Sequence, residues 1–246
     1  THIPEKVEIP ITRKWDDDDD RDGIRPSSIF VKLYSDDPKE EQPVQRREIK
    51  GEKTNDTWTY TFTSTESEPI NKYRHNGVLI NYWVEEEPIT NSQTYDESQA
   101  YAVPKYTTSS TSQENAEETC GKIQGTITYN NSAAEKLSGF TIINTHIPEK
   151  VKIIVKKIWD DDNNRDNVRP NQIVFVLKAD GAELKKDAFG KTITNPVTLN
   201  DENEWTYTYE DLCRYRDHGV EIEYTIDETT TPQYYTKKIN QAEKVY

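Results

Sequence analysis

The segment Thr1-His2-Ile3-Pro4-Glu5-Lys6-Val7 recurs unchanged at Thr145-His146-Ile147-Pro148-Glu149-Lys150-Val151. The match continues in one register, with Trp15-Asp16-Asp17-Asp18 against Trp159-Asp160-Asp161-Asp162 and Arg25-Pro26 against Arg169-Pro170. Further along, Trp58-Thr59-Tyr60-Thr61 answers Trp205-Thr206-Tyr207-Thr208, and Tyr73-Arg74-His75-Asn76-Gly77 answers Tyr215-Arg216-Asp217-His218-Gly219. A repeat of this kind means two copies of one module, each with its own apolar core. The boundary falls at Asn144 and Thr145, giving residues 1–144 and 145–246. The joint through His146-Ile147-Pro148 is short, holds a proline and has no Gly/Ser tract, so the copies are expected to form a rod.

Within each copy the hydrophobic period is two. Ile29–Tyr34 and Ile173–Leu177 are rich in β-branched and aromatic residues and read as strands. Trp58–Phe62 and Trp205–Tyr209 alternate aromatic side chains with threonines, and Leu79–Val84 and Ile222–Ile226 supply a further strand. No stretch carries a sustained helical stripe. Short strands punctuated by Asp, Asn, Gly and Pro predict an all-β chain of two tandem antiparallel sandwiches. The first copy has an extra Ser/Thr/Glu-rich stretch around Ile89–Glu118, expected to be an exposed loop.

Composition narrows the function. Hydrophobic residues make up 32% and charged residues 31%, a balance that alone suggests disorder. Fifteen Tyr, five Trp and five Phe supply the amphipathic rings that small sandwich cores bury. A net charge of −14 disfavours nucleic-acid or anionic-membrane partners, which need clustered Lys and Arg. No run of 18 apolar residues is present. The absence of Met and of a signal peptide suggests an internal fragment of a longer polypeptide. Cys120 and Cys213 are too few for a disulfide framework. The run Asp16–Asp20 followed by Arg21, Asp22 and Gly23 resembles a calcium loop but lacks the distal bidentate Glu, so a solvated Asx turn is the simpler reading and no metal is expected. The four His form no ligand cluster, and no nucleophile elbow, phosphate loop or cofactor motif occurs. The glycosylation-like Asn55-Asp56-Thr57 and Asn130-Asn131-Ser132 are read as incidental.

The ordered pattern Lys-x-Trp-Asp-Asp, Arg-Pro before a strand, Trp-Thr-Tyr, Tyr-x-x-x-Glu and Asn-Thr-His-x-Pro resembles the CnaB-type repeat, the B repeat of Gram-positive collagen adhesins and pilins. The resemblance covers nearly the whole chain. It implies inverted immunoglobulin-like sandwiches acting as stalk elements of an extracellular, cell-wall-anchored adhesin, with no enzymatic turnover on an external substrate. It also implies an intramolecular isopeptide bond from a first-strand Lys to a last-strand Asn, promoted by a buried acid. The partners implied are neighbouring repeats of the same polypeptide and a host extracellular matrix protein. The alternative function is a binding module that engages such a protein through loops or an exposed strand edge.

Strand parity can be set beside that chemistry. In the second copy Val155, Lys157 and Trp159 share one face, as do Tyr224, Ile226 and Glu228, so Lys157 and Glu228 are expected to point inward. In the first copy Tyr82, Val84 and Glu86 share a face, and Phe140, Ile142 and Asn144 put Asn144 inward. Burial disfavours both charges, leaving an amine able to attack a carboxamide and an acid able to polarise it. Ordinary buried polar pairing is the plainer reading of the same positions. In the first copy Arg13 stands where the second has Lys157, with Lys14 beside it. An inward Arg13 pairs with Glu86 and forgoes the chemistry, whereas a bulge beside Pro10 would turn Lys14 toward Asn144. The second copy reaches Tyr246 with no counterpart of Asn144 in register. Asn240 is the only late candidate, so its last strand is expected to be missing and its groove uncovered, with a disordered C-terminal region or a neighbouring chain at that groove.

Overall fold

The computed structural model describes residues 3–87, 107–109, 122–123, 139–239 and 244–245. Cys120 and Asn240, most of the Ile89–Glu118 stretch and the asparagines at 130 and 131 lie outside these. The chain is all-β and divides into two compact units, one ending at Ile147 and the other beginning at Pro148 for its main part. The described residues hold no α-helix, only a single 3-10 turn at His75–Gly77.

In the first unit the strands are β1 (Ile9–Asp16), β2 (Ser28–Ser35), β3 (Gln45–Lys50), β4 (Thr57–Phe62), β5 (Tyr73–Arg74), β6 (Val78–Leu79), β7 (Tyr82–Glu86), β8 (Thr107–Ser109), β9 (Lys122–Ile123) and β10 (Phe140–Thr145). They form two four-stranded sheets, ordered β4-β1-β10-β8 and β3-β2-β7-β9, with β5 and β6 as a small hairpin. Period-two alternation decides the inner faces: Ile9, Ile11, Arg13 and Trp15 of β1 are buried, and Ile29, Val31 and Leu33 of β2 face them across a shared core. Each fully buried large apolar side chain of this kind stabilises the fold by about 1.5–3 kcal/mol. β1 lies between an antiparallel β4 and a parallel β10, with Arg13 opposite Ile142 and Trp15 opposite Asn144. β10 begins opposite Ile11, so Pro10 has no ladder partner on that side, where its missing N–H would matter.

Two sequence expectations are corrected here. The strand expected over Leu79–Val84 is two: the alternation runs on from Leu79, 41% exposed, to the fully buried Ile80, but the strand pairing does not, since the Ile80 N–H bonds to the Lys72 carbonyl and the Asn81 N–H to Asp36 Oδ1 at 3.0 Å. The same break separates β17 (Val220–Glu221) from β18 (Tyr224–Glu228) in the second unit. The stretch read as a loop contributes β8, whose three residues pair antiparallel with Ile143–Thr145 of β10.

The second unit holds β11 (Lys150–Lys156), β12 (Gln172–Ala179), β13 (Ala182–Glu183), β14 (Val197–Asn200), β15 (Thr206–Cys213), β16 (Tyr215–Arg216), then β17 and β18, and β19 (Lys244–Val245). One sheet runs β15-β11-β19, and in the other β12 pairs with β13, β14 and β18. Val151, Ile153 and Val155 face Ile173, Phe175 and Leu177 across this core, with Tyr209, Leu212, Cys213 and Tyr224 also buried. The difference between units lies at the inner edge of the first strand. Where β1 has six register pairs with a parallel β10, β11 has two antiparallel pairs with β19, at Lys152 and Ile153. Among the described residues no strand covers that edge from Ile154 to Lys156.

Candidate functional site

Parity brings Arg13 and Asn144 to neighbouring parallel strands of one sheet, and Glu86 reaches them from β7 of the facing sheet. All three are buried: Arg13 and Asn144 at 0% and Glu86 at 4% exposure. They converge on one carboxylate. The Asn144 Nδ2 donates to Glu86 Oε1 at 2.8 Å, and the Arg13 Nε lies 3.8 Å from Oε2. The guanidinium also lies over the Trp15 indole and within 5.1 Å of the Trp58 ring centre. Burial pushes the Glu86 carboxyl up to about 7, against the pull of Arg13 and the Asn144 amide. The β1 register runs without a shift past Pro10, so Lys14 stays on the outer face, exposed and pointing away from Asn144. A guanidinium keeps its proton and is a poor nucleophile.

In the second unit Lys157 lies just past the end of β11, held in line by its N–H to the Trp205 carbonyl at 2.9 Å. Its Nζ is 2.9 Å from Glu228 Oε2 and 4.6 Å from the Trp159 ring centre. Glu228 is buried, and 13% of the Lys157 side chain is exposed. Among the described residues no asparagine is hydrogen-bonded to either partner. The pair faces a groove of about 1130 Å³ lined by Val155, Trp159, Phe175 and Ile226. At this groove Tyr235 sets its ring edge-on to Trp159, gives its hydroxyl to Asp161 at 2.9 Å, and is followed by Lys237, whose Nζ donates to the Glu228 carbonyl at 3.0 Å.

The Cna protein B-type domain family matches residues 9–145 and 153–246. The chain belongs to this family. It is 26% identical over 235 residues to the collagen adhesin of Staphylococcus aureus, covering 96% of this chain and 15% of that relative's length. Among solved structures it is similar to the two B repeat units (B1B2) of the S. aureus collagen binding protein, at 26% identity and a TM-score of 0.33 over 97% of this chain and 47% of that one. It is also similar to the major pilin of Streptococcus pyogenes, at 14% identity and a TM-score of 0.36 over 98% and 91%. Members of this family are structural or binding modules rather than enzymes.

Each B-type domain also holds a cluster that sequence reasoning missed. The aspartate run is not a solvated turn in the first domain: Asp17 and Asp20 are 2% and 1% exposed. Asp17 accepts from both Nε and Nη2 of the fully buried Arg25, which also reaches Asp56 and the Lys53 carbonyl. Asp18, Asp19 and Asp20 all take left-handed backbone angles, which Asp and Asn tolerate better than most residues, and this swings Asp20 Oδ1 onto the Arg25 N–H at 2.8 Å. The second domain repeats the device with Asp161 on Arg169 and Asn164 Oδ1 on the Arg169 N–H at 3.0 Å. The Asp-to-Asn exchange is explained, because the position needs only a side-chain carbonyl acceptor. The repeated Arg-Pro in register with the aspartates was the available signal.

Proposed function

We propose that this chain is a stalk module of an extracellular, cell-wall-anchored adhesin, whose second domain is built to close through an amide bond from Lys157. The observation that carries the reading is the Lys157–Glu228 pair at 2.9 Å, facing a groove in the position that β10 fills in the first domain. With an asparagine delivered there, the Lys157 amine attacks the carboxamide carbon while Glu228 polarises the carbonyl and passes the proton. A C–N bond forms, the original C–N bond of the amide breaks, and ammonia leaves. The reaction happens once, within a protein, and its product is a cross-link. The chain spans 15% of the length of the collagen adhesin it matches, so anchor and adhesive ligand belong to this proposal too.

The test appends the chain's own Gly139–His146 sequence after Tyr246 through a flexible linker. The intact mass should fall one ammonia below the sequence mass, and Lys157→Ala should restore it. An unreduced mass with Lys157 open to acylation would remove the covalent part of the reading.

A second reading rests on the outer face of the β2–β7 sheet. Tyr34 stacks on Trp83 at 5.6 Å and 5°, and Arg46 lies over Phe30, whereas the second domain has Lys178, Thr225 and Val174 at the corresponding places. Such a half-buried aromatic face supports a binding module for a host matrix protein such as collagen. Loss of collagen capture on Tyr34→Ala would support it, and no capture by the parent chain would end it.

A further inference from the structure

We infer that the first domain is the force-yielding element of the chain, clasped without a covalent bond by Arg13, Glu86 and Asn144, and that Arg13→Lys alone would turn this clasp into a covalent lock. The inference rests on the stalk reading for the presence of tension, but not on any chemistry at Lys157.

The load path follows from topology. The polypeptide enters the domain ahead of Ile9 and leaves it after Thr145, and β1 and β10 run parallel side by side. Tension pulls the start of β1 against the end of β10, so the register from Ile11–Phe140 to Asp16–Thr145 is loaded in shear and its hydrogen bonds must fail together. Near the downstream end of that register the two strands share a third partner. Arg13 and Asn144 address the two oxygens of one Glu86 carboxylate, Nε toward Oε2 and Nδ2 toward Oε1, so the clasp also ties this sheet to the facing one. Nothing covalent spans it, because guanidinium cannot act as the nucleophile and Lys14 lies on the outer face. Once shear succeeds, everything between Arg13 and Asn144 is released.

The same geometry makes the site one side chain short of closure. An amine at position 13 would sit within one carboxylate's width of the Asn144 amide, in a niche walled by Trp15 and Trp58. Its nitrogen would bond to the Asn144 carboxamide carbon, the Cγ–Nδ2 bond would break, and Glu86 would carry the proton to the departing ammonia.

Single-molecule pulling on the full chain, with intact mass on the same preparations, tests this. The parent chain should carry its full sequence mass and show a first-domain step on the order of 450 Å, at roughly 3.4 Å per extended residue. The second domain, main part from Pro148 to Tyr246, yields no more than about 350 Å on that scale. The Arg13→Lys chain should weigh one ammonia less than its sequence, and the long step should vanish. Arg13→Lys with Asn144→Ala should recover both mass and step. Should Arg13→Lys fail to fold, Glu86→Gln is decisive: it should keep the long step and lower its force. A parent chain already short of one ammonia, a folded Arg13→Lys chain of full mass, or an unchanged force in Glu86→Gln would each overturn the inference.

Discussion

Glu86 illustrates how a single buried carboxyl couples the two sheets to pH. Its folded-state value is raised from 4.5 to about 7, chiefly by burial, so the folded domain holds a proton that the unfolded chain releases in this window. The contribution of this group is therefore fully present below about 4.5 and is lost as pH rises toward 7, the opposite of an ordinary salt-bridged carboxylate. Denaturation midpoints of the first domain measured at pH 5 and 7.5 should differ by more in the parent than in Glu86→Gln, and equal slopes would refute the assignment. A second pair of substitutions tests the aspartate clusters. Asp17→Ala leaves the fully buried Arg25 without its bidentate partner and should cost about 3–5 kcal/mol. Asn164→Asp should stay within about 0.5 kcal/mol, because Asp20 already serves the same backbone N–H in the first domain. Thermal melts of the two variants would separate these outcomes.

Among the elements, β1, β2, β7, β10 and β12 were legible because one face of each must be apolar, and a one-residue slip would invert it. Arg13 inward and Lys14 outward follow from that rule together with an unbroken register, which the sequence left open at Pro10. The division of the Leu79–Val84 run was not legible, since its alternation is unbroken and the break is marked only by acceptors outside the run, the Lys72 carbonyl for the Ile80 N–H and the Asp36 carboxylate for the Asn81 N–H. β8 was hidden for a related reason: Thr107–Ser109 carries no apolar alternation and is a strand because it pairs with β10. The approach of β10 to β1 depends on Gly139, where a Cβ would collide with the Pro10 carbonyl. Gly139→Ala should destabilise the first domain by about 1–3 kcal/mol, read by denaturant titration, with amide exchange faster in β10 than in β2.

For the whole molecule, repetition carried most of what could be read: a register shared by two copies places Arg13 in the position of Lys157 and Glu86 in that of Glu228 from the sequence alone. It did not reveal the buried Asp17–Arg25 contact, because a run of aspartates reads as solvent-facing until the arginine that buries it is recognised eight residues on. The parent chain should show no covalent closure in either domain, with an intact mass equal to that of its sequence, since Arg13 is the inward residue of β1 with Lys14 exposed, and no described asparagine meets the Lys157–Glu228 pair. A mass deficit of one ammonia would contradict this, and peptide mapping would locate it. The tryptophans give the two domains separate optical signatures. Trp15 and Trp58 meet edge to face at 5.3 Å, as do Trp159 and Trp205 at 5.1 Å. Indoles held this close in a fixed oblique geometry couple their excited states, so each folded domain carries its own exciton pair in circular dichroism. Replacing Trp58 or Trp205 with Phe silences one pair at a time, and the melting of either domain can then be followed inside the intact chain without any added label.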